Sequence, residues 1–348
     1  TGWYTLSLHD ALPIFFFAIS GYVIGRSLLP RIDLARSQKA PWREIAAIWT
    51  KRVFRLWPTA LLWLAIVLAA TAIWRFKSPS LGFDVNVDAT VAGALNFANF
   101  RLADSFGVYE YGASFHFWTL SLEEQFYVLL PIIALLCRRT SVLACALIAL
   151  IAIDLLRPFS MIMVMTRASA LLLGVLIAIW SFSRLHGAIS AVIGRISGWL
   201  LFAAMISSVM LVWWVAALPG NTTIYHGCVA AASALCVLFA SFNRDALLQP
   251  RLWNGFMMWA GSRSYALYVI HVPLLTVMSD VLTPHFLSVD GSILLLFQIA
   301  FVTSSLLVTF GLADLNFRFI ETPLRRVGVR IAARISGEQS RAAPTQSA

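Results

Sequence analysis

One stretch of this chain gathers side chains that could move a proton. Residues 116–127 read HFWTLSLEEQFY, which places His116, Glu123 and Glu124 at the mouth of a long apolar segment. Two carboxylates so close to the start of an apolar helix are costly unless they are paired or face a polar cavity. His116 and Glu123 are seven residues apart, so they share a face if the helix extends back that far. An imidazole and a carboxylate so placed suit general acid–base work on a hydroxyl. The structural alternative is a capping box, Ser121-x-x-Glu124, which would make both of those residues local fasteners. Glu124 is open to either reading, whereas Glu123 reads as functional.

Other polar residues stand out against their surroundings. Arg52 and Arg55 are three apart and share one side of a helix start. The guanidinium fork fits phosphate oxygens, and lipid headgroups are the competing partner. His271 lies well inside an apolar segment, where an imidazole needs hydrogen bonds, either in a site or in a structural network. Arg167 opens another apolar segment. It is expected either to pair with Glu123 or Glu124 or to extend to the interface. Glu321, four residues before Arg325, reads as half of a local ion pair. Cys137, Cys145, Cys228 and Cys236 show neither metal-ligand spacing nor a disulfide framework and read as packing residues. No metal site is expected.

These residues must be held by elements that live in lipid. Of the 348 residues, 60% are hydrophobic and 12% charged, with a mean hydropathy of +0.81. Soluble domains carry about 25% charge, so a soluble core of this size could not hide the apolar surface. Nine apolar segments can be read, at 15–29, 59–75, 119–137, 141–156, 164–182, 197–217, 223–241, 257–282 and 292–317. They are long, continuous and without strand alternation, so they are expected to be helices whose backbone groups are satisfied internally. All but five of the 26 Lys and Arg fall in alternate loops, the exceptions being Arg75, Lys77, Arg101, Arg157 and Arg167. That asymmetry makes the basic loops and the C-terminus cytoplasmic. The net charge of +10 is thus explained by topology, and no nucleic-acid partner is expected. The longest outer loop is 77–117. No internal repeat is visible. Residues 335–348 are polar and expected to be disordered.

The six separate elements of sequence that follow resemble the acyltransferase-3 family, in the family's order. HFWTLSLEEQFY is similar to its H-x-W-S-L-S-x-E-x-Q-F-Y signature. FFFAISGYVIGRSLL at 15–29 resembles its second helix, and KRVFRLWP at 51–58 its R-R-x-x-R-x-x-P element. TRASALLLG at 166–174 resembles an R-x6-G helix, with Thr166 where Asp is common. AGSRSYALYVIHVPLL at 260–275 matches S-Y-x-L-Y-x-x-H, and NFRFIETPLRR at 316–326 matches F-I-E-x-P.

The resemblance implies an integral-membrane enzyme of the cell's inner (plasma) membrane. It would move an acyl group, acetyl foremost, from acyl-CoA as co-substrate to a hydroxyl of a glycan or lipid-linked sugar. No cofactor would be permanently bound. The catalytic candidates are His116, Glu123 and Glu124, and the CoA-binding candidates are Arg52 and Arg55. Arg167, His271, Ser264 and Tyr265 are further polar candidates. A transporter or flippase for a lipid-linked glycan is the reading from another class. The family opens with a helix bearing an Arg and a His thought to be catalytic, and nothing before Phe15 matches it. Residues 1–14, TGWYTLSLHDALPI, resemble adapter read-through and are expected to be non-native. The expectation is therefore an all-α polytopic bundle with nine of ten helices present. It comprises a domain at 15–326, a polar tail at 327–348, and a chain inactive as it stands.

Overall fold

In the computed structural model the described residues are 3–37, 41–74, 76–158, 160–196, 198–217, 223–242, 251–282 and 291–337. The chain runs through α1 (Trp3–Ser37), α2 (Pro41–Ile73), α3 (Phe83–Ala94), α4 (Ala98–Ser105) and α5 (Phe117–Leu136). It continues through α6 (Thr140–Leu156), α7 (Met161–Met165), α8 (Ser169–Ser181), α9 (Arg184–Ile193) and α10 (Gly198–Ala217). The last helices are α11 (Thr223–Ser241), α12 (Arg251–Leu282), α13 (Gly291–Asn316) and α14 (Thr322–Ser336). No strand occurs among the described residues. Eight of the nine apolar segments read from the sequence are helical over their described length, to within a residue at their ends, and the one at 164–182 is broken, with Thr166–Ala168 non-helical between α7 and α8. Among the described residues seven helical stretches are long and apolar enough to cross a membrane, and Thr140–Leu156 and Tyr225–Ser241 are shorter apolar helices. Large apolar side chains on these helices, such as Trp199, Trp213, Trp214 and Leu307, are exposed, the surface a bilayer would cover. This is an all-α, multi-pass membrane protein.

Two compact units divide the chain. The first takes Thr1–Pro41 and Glu123–Gly255. Its central packing is α1 against α8, and glycines make it possible. A Cβ on Gly21 would collide with the Leu171 carbonyl, one on Gly174 with the Ala18 carbonyl, and one on Gly25 would sit 2.7 Å from the Ala178 Cβ. Gly21 and Gly25 form the G-x-x-x-G spacing that lets helix backbones touch where lipid offers no hydrophobic drive. Val212, Val215, Tyr225, Val229, Ala232 and Cys236 form a second cluster, against which Ile14 and Phe15 pack. The α1 helix begins at Trp3, so the backbone of the adapter-like residues runs into the same helix as Phe15. Arg36 donates to the carbonyls of Ala134 and Cys137, which are among the orphan acceptors at the end of α5.

The second unit takes Trp42–Leu122 and Phe256–Ala348. Asp280 near the end of α12 accepts from the backbone N–H groups of Lys77 (3.0 Å) and Ser78 (2.6 Å), pinning the chain after α2. The chain does not leave the helix after the last apolar segment. Instead α13 passes through a π turn, Phe317–Glu321, directly into α14. Pro323 lacks an N–H and clashes with the carbonyl a turn before it, and a widened turn accommodates such a residue without ending the helix. Gly328 lets α14 close on Phe54 of α2, where a Cβ would overlap the ring. The helix therefore extends to Ser336, into the region read as a polar tail.

Candidate active site

The motif at 116–127 is split between the two units. His116 belongs to the second and Glu123 to the first. The helix does not extend back to His116, because α5 starts at Phe117 after a tight turn in which Phe117, Trp118 and Thr119 donate to the carbonyls of Ser114, Phe115 and His116. His116 is 3% exposed. Its Nε2 lies 3.2 Å from the Val269 carbonyl on α12. A carbonyl only accepts, so Nε2 carries the proton and Nδ1 is the basic nitrogen of the neutral ring. Nδ1 is buried and has no hydrogen-bond partner. Burial first, and then the nearby His271, push the His116 pKa down to about 3, which keeps the ring neutral at physiological pH.

The ring of His271 stands edge-on to that of His116, with centroids 5.7 Å apart. Its Nδ1 is 2.7 Å from the Tyr268 carbonyl, which fixes the proton on Nδ1 and makes Nε2 the acceptor nitrogen. Tyr268 shares a 2.5 Å hydrogen bond with Thr119, and both hydroxyls reach the His116 carbonyl. Because α12 begins at Arg251, earlier than the sequence reading placed it, His271 lies past the middle of its helix. Tyr268 and Thr119 lie inside two of the motifs but were not among the site candidates, although Tyr268 sits one helical turn before His271. Ser121 is not a capping-box residue: it lies inside α5 and accepts from the Ala98 N–H (3.2 Å), serving the orphan donor that opens α4.

Elsewhere in the same unit, Tyr265 donates to the Leu56 carbonyl on α2 at 2.8 Å, beside Arg55. Arg52 is half-buried and Arg55 exposed. Glu321 is buried, 6% exposed. It accepts from Asn316 (3.1 Å), which also donates to Thr59 (2.9 Å) and accepts from Trp63 (3.3 Å). Its role is thus a buried network between α2 and the π turn rather than a simple pair with Arg325. Ser264 is exposed and bonds only back to the Gly261 carbonyl (3.0 Å), so it does not join Tyr265.

In the first unit Glu123 is 7% exposed. One carboxylate oxygen accepts from both the Ser20 and the Tyr127 hydroxyls, and Tyr127 also reaches the Ser20 oxygen at 3.2 Å. Ser20 belongs to the S-G of the second-helix element, and Tyr127 is one helical turn after Glu123. Those were the available signals for two residues the sequence reading omitted. Glu124 is half-buried and about 100° further round the helix.

Arg167 is buried, 6% exposed, with its guanidinium against the Met163 sulfur. It does not extend to an interface. Asp154, also missed, accepts from the Ser169 N–H (3.1 Å) at the start of α8 and pairs with Arg157 (3.3 Å), which in turn donates to Thr166 (2.8 Å). A carboxylate at that N-terminus meets both the orphan N–H and the helix dipole. His226, buried in α11, and His186, buried in α9, are further polar residues the sequence reading passed over. No cluster of metal ligands occurs among the described residues, and the four cysteines are free.

The loop before α5 carries an open cavity of about 680 Å³. Tyr111 lines it, with a buried hydroxyl that has no partner and a pKa pushed up to about 12 by burial.

Comparisons with known proteins give these features a lineage. The chain is 28% identical over 358 residues to the O-acetyltransferase OatA of Staphylococcus aureus strain MRSA252, covering 95% of this chain and 55% of that protein. It is 27% identical over 346 residues to the peptidoglycan O-acetyltransferase OatA of Listeria monocytogenes serovar 1/2a, covering 90% of this chain and 51% of that protein. The chain thus spans about half the length of the curated relatives it matches. No solved structure matches. The family model described as an acyltransferase domain matches residues 11–314, a range that takes in five of the six sequence elements whole and α1 through most of α13; this chain belongs to the acyltransferase-3 family.

Proposed function

We propose that this chain is an integral-membrane acyltransferase. It moves an acyl group, acetyl foremost, from a cytoplasmic CoA thioester to a hydroxyl of a cell-surface or secreted glycan. The carrying observation is the buried, unpartnered Nδ1 of His116, in a ring whose proton is held on Nε2 by the Val269 carbonyl. A neutral imidazole with an available lone pair suits general-base work on a hydroxyl. The acceptor oxygen gives its proton to that nitrogen and bonds to the thioester carbonyl carbon. The carbon–sulfur bond then breaks, and the departing thiolate takes a proton. The relatives named as O-acetyltransferases support acetyl as the group and a glycan as the acceptor.

Arg52 and Arg55 are the proposed binders of the CoA phosphates, through their planar donor forks. Tyr265, bonded beside them, and His271 are six residues apart on α12, about 9 Å of helix rise, so donor and base ends lie within reach of one ligand. In this reading Glu123 positions α1 through Ser20 and Tyr127. Glu124 and Arg167 remain the polar candidates near it. The protein sits in the cell's inner membrane with its C-terminus cytoplasmic, the orientation that the alternation of basic loops supports.

The test is a transfer assay with acyl-labelled acetyl-CoA and membranes containing the full-length protein. Label entering the glycan fraction, and falling with His116→Ala, is the expected result. Glycan translocation without label would instead favour a transporter and overturn the enzyme.

A further inference from the structure

The cavity in the second unit lies outside everything assigned above, and its walls are built rather than incidental. Asn86 is fully buried; its amide donates to the Ser80 (2.9 Å) and Gly82 (2.8 Å) carbonyls, and its oxygen accepts from the Ala113 N–H (3.1 Å). That oxygen would lie 3.0 Å from a Cβ on Gly112, whose φ of +112° already excludes most side chains. Arg101 donates to the Tyr111 carbonyl (2.6 Å) and lies over the Tyr111 ring, 4.4 Å from its centroid. Asp104 accepts from the Tyr109 hydroxyl at 2.8 Å. Three aromatic rings are thereby fixed along one loop, because Phe115 follows at the edge of the His116 turn, with ring centroids 6.2 Å apart.

The lining tells what such a cleft would take. Tyr109 is 47% exposed and Phe115 41%, so both rings are partly open where they line the cavity. Tyr111, 6% exposed, contributes its unpartnered hydroxyl. Ser80, Glu110 and Thr276 add further hydrogen-bonding groups. No Lys, Arg or His lines the cavity; Arg101, behind the Tyr111 ring, is paired with Asp88 (3.9 Å), and Glu110 and the nearby Asp104 are acidic, which argues against a phosphate or other anion. A purely alkyl ligand would leave the floor hydroxyl unsatisfied. The volume falls in the range of about 300–1,000 Å³ that holds a small ligand or a few sugar rings.

We propose that this cleft is the acceptor subsite, binding an uncharged sugar ring with its C–H face on Tyr109 and Phe115 and a hydroxyl accepting from Tyr111. The proposal rests on the glycan-acceptor reading above. It gives that reading a location adjoining the His116 and His271 pair, since Phe115 precedes His116 and Thr276 follows His271 on α12.

The test uses the full chain in lipid nanodiscs and chitopentaose, a neutral oligosaccharide, as the probe, with binding measured by titration and ligand-observed saturation transfer. Phe115→Ala and Tyr109→Ala are expected to weaken binding about tenfold each. Tyr111→Phe, which removes one oxygen and preserves the ring, is expected to weaken it about three- to tenfold. Binding by the unaltered protein that all three variants retain overturns the cleft and leaves the glycan reading standing. No binding of chitopentaose, with label still entering the glycan fraction in the transfer assay, also overturns the cleft alone. No binding and no labelled glycan overturns both.

Discussion

His116 and Glu123 come from one motif, seven residues apart, yet their surroundings are opposite in kind. Both are buried, and both would be expensive if nothing met their polar atoms. One oxygen of Glu123 accepts from the Ser20 and Tyr127 hydroxyls, contacts that tie α1 to α5 within the first unit. His116 is met only at Nε2, and its other nitrogen faces no donor. Burial of a polar group thus marks either a fastener or a reactive atom, and the count of satisfied positions separates them. The same contrast recurs between Asp154, fully engaged at the start of α8, and Tyr111, whose hydroxyl is idle in a cavity.

Four measurements would break or sharpen this contrast. His116→Gln, which fills the site and can keep the bond to the Val269 carbonyl, should lower acyl transfer by about 10²–10⁴-fold with little change in thermal stability in detergent; loss of a general base has that size. A variant that melts early and keeps its turnover would make His116 the fastener. Glu123→Ala should act the other way, costing about 3 kcal/mol of stability because two buried hydroxyls lose their acceptor. Glu123→Gln should recover most of that and retain transfer. If Glu123→Gln folds well and transfers as poorly as His116→Gln, the carboxylate is chemical.

The pH dependence tests His116 from another side. Its folded pKa, about 3, is below the ordinary value of 6.5, so the folded state refuses a proton that the unfolded chain accepts. Stability from this group is full above pH 6.5 and is lost as pH falls toward 3, amounting to about 2 kcal/mol at pH 5. Melting curves from pH 7.5 to pH 5 should show that loss, and His116→Gln should flatten it. An unchanged slope in the variant would assign the acid sensitivity elsewhere. The smallest effect is expected at Ser20→Ala, which removes one of two donors to Glu123 and should cost about 1 kcal/mol. A much larger loss would mean that Ser20, rather than Tyr127, anchors the carboxylate.

The helical, membrane-spanning fold was legible because it rests on local quantities. Continuous apolarity over a span's length, together with basic residues in alternate loops, requires no knowledge of partners. The six ordered elements identified the family for a similar reason, since residue type and order survive without coordinates. The site was legible only as a set of candidates. Tyr265 and Ser264 are adjacent in sequence, but one reaches α2 and the other turns back on its own helix. Ser121 and Glu124 fit a cap by spacing, yet α5 starts before them and Ser121 serves α4.

What the sequence determined by itself was therefore class, span and lineage. Which of its buried polar groups are spent was decided only by tertiary structure. Ser20 finds Glu123 across 103 residues, and the Val269 carbonyl finds His116 across 153. Hydrogen bonds at such separations follow from helix packing, in this case from glycines that bring α1 onto α8 and from a turn that lifts His116 out of α5. No periodicity along the chain encodes them.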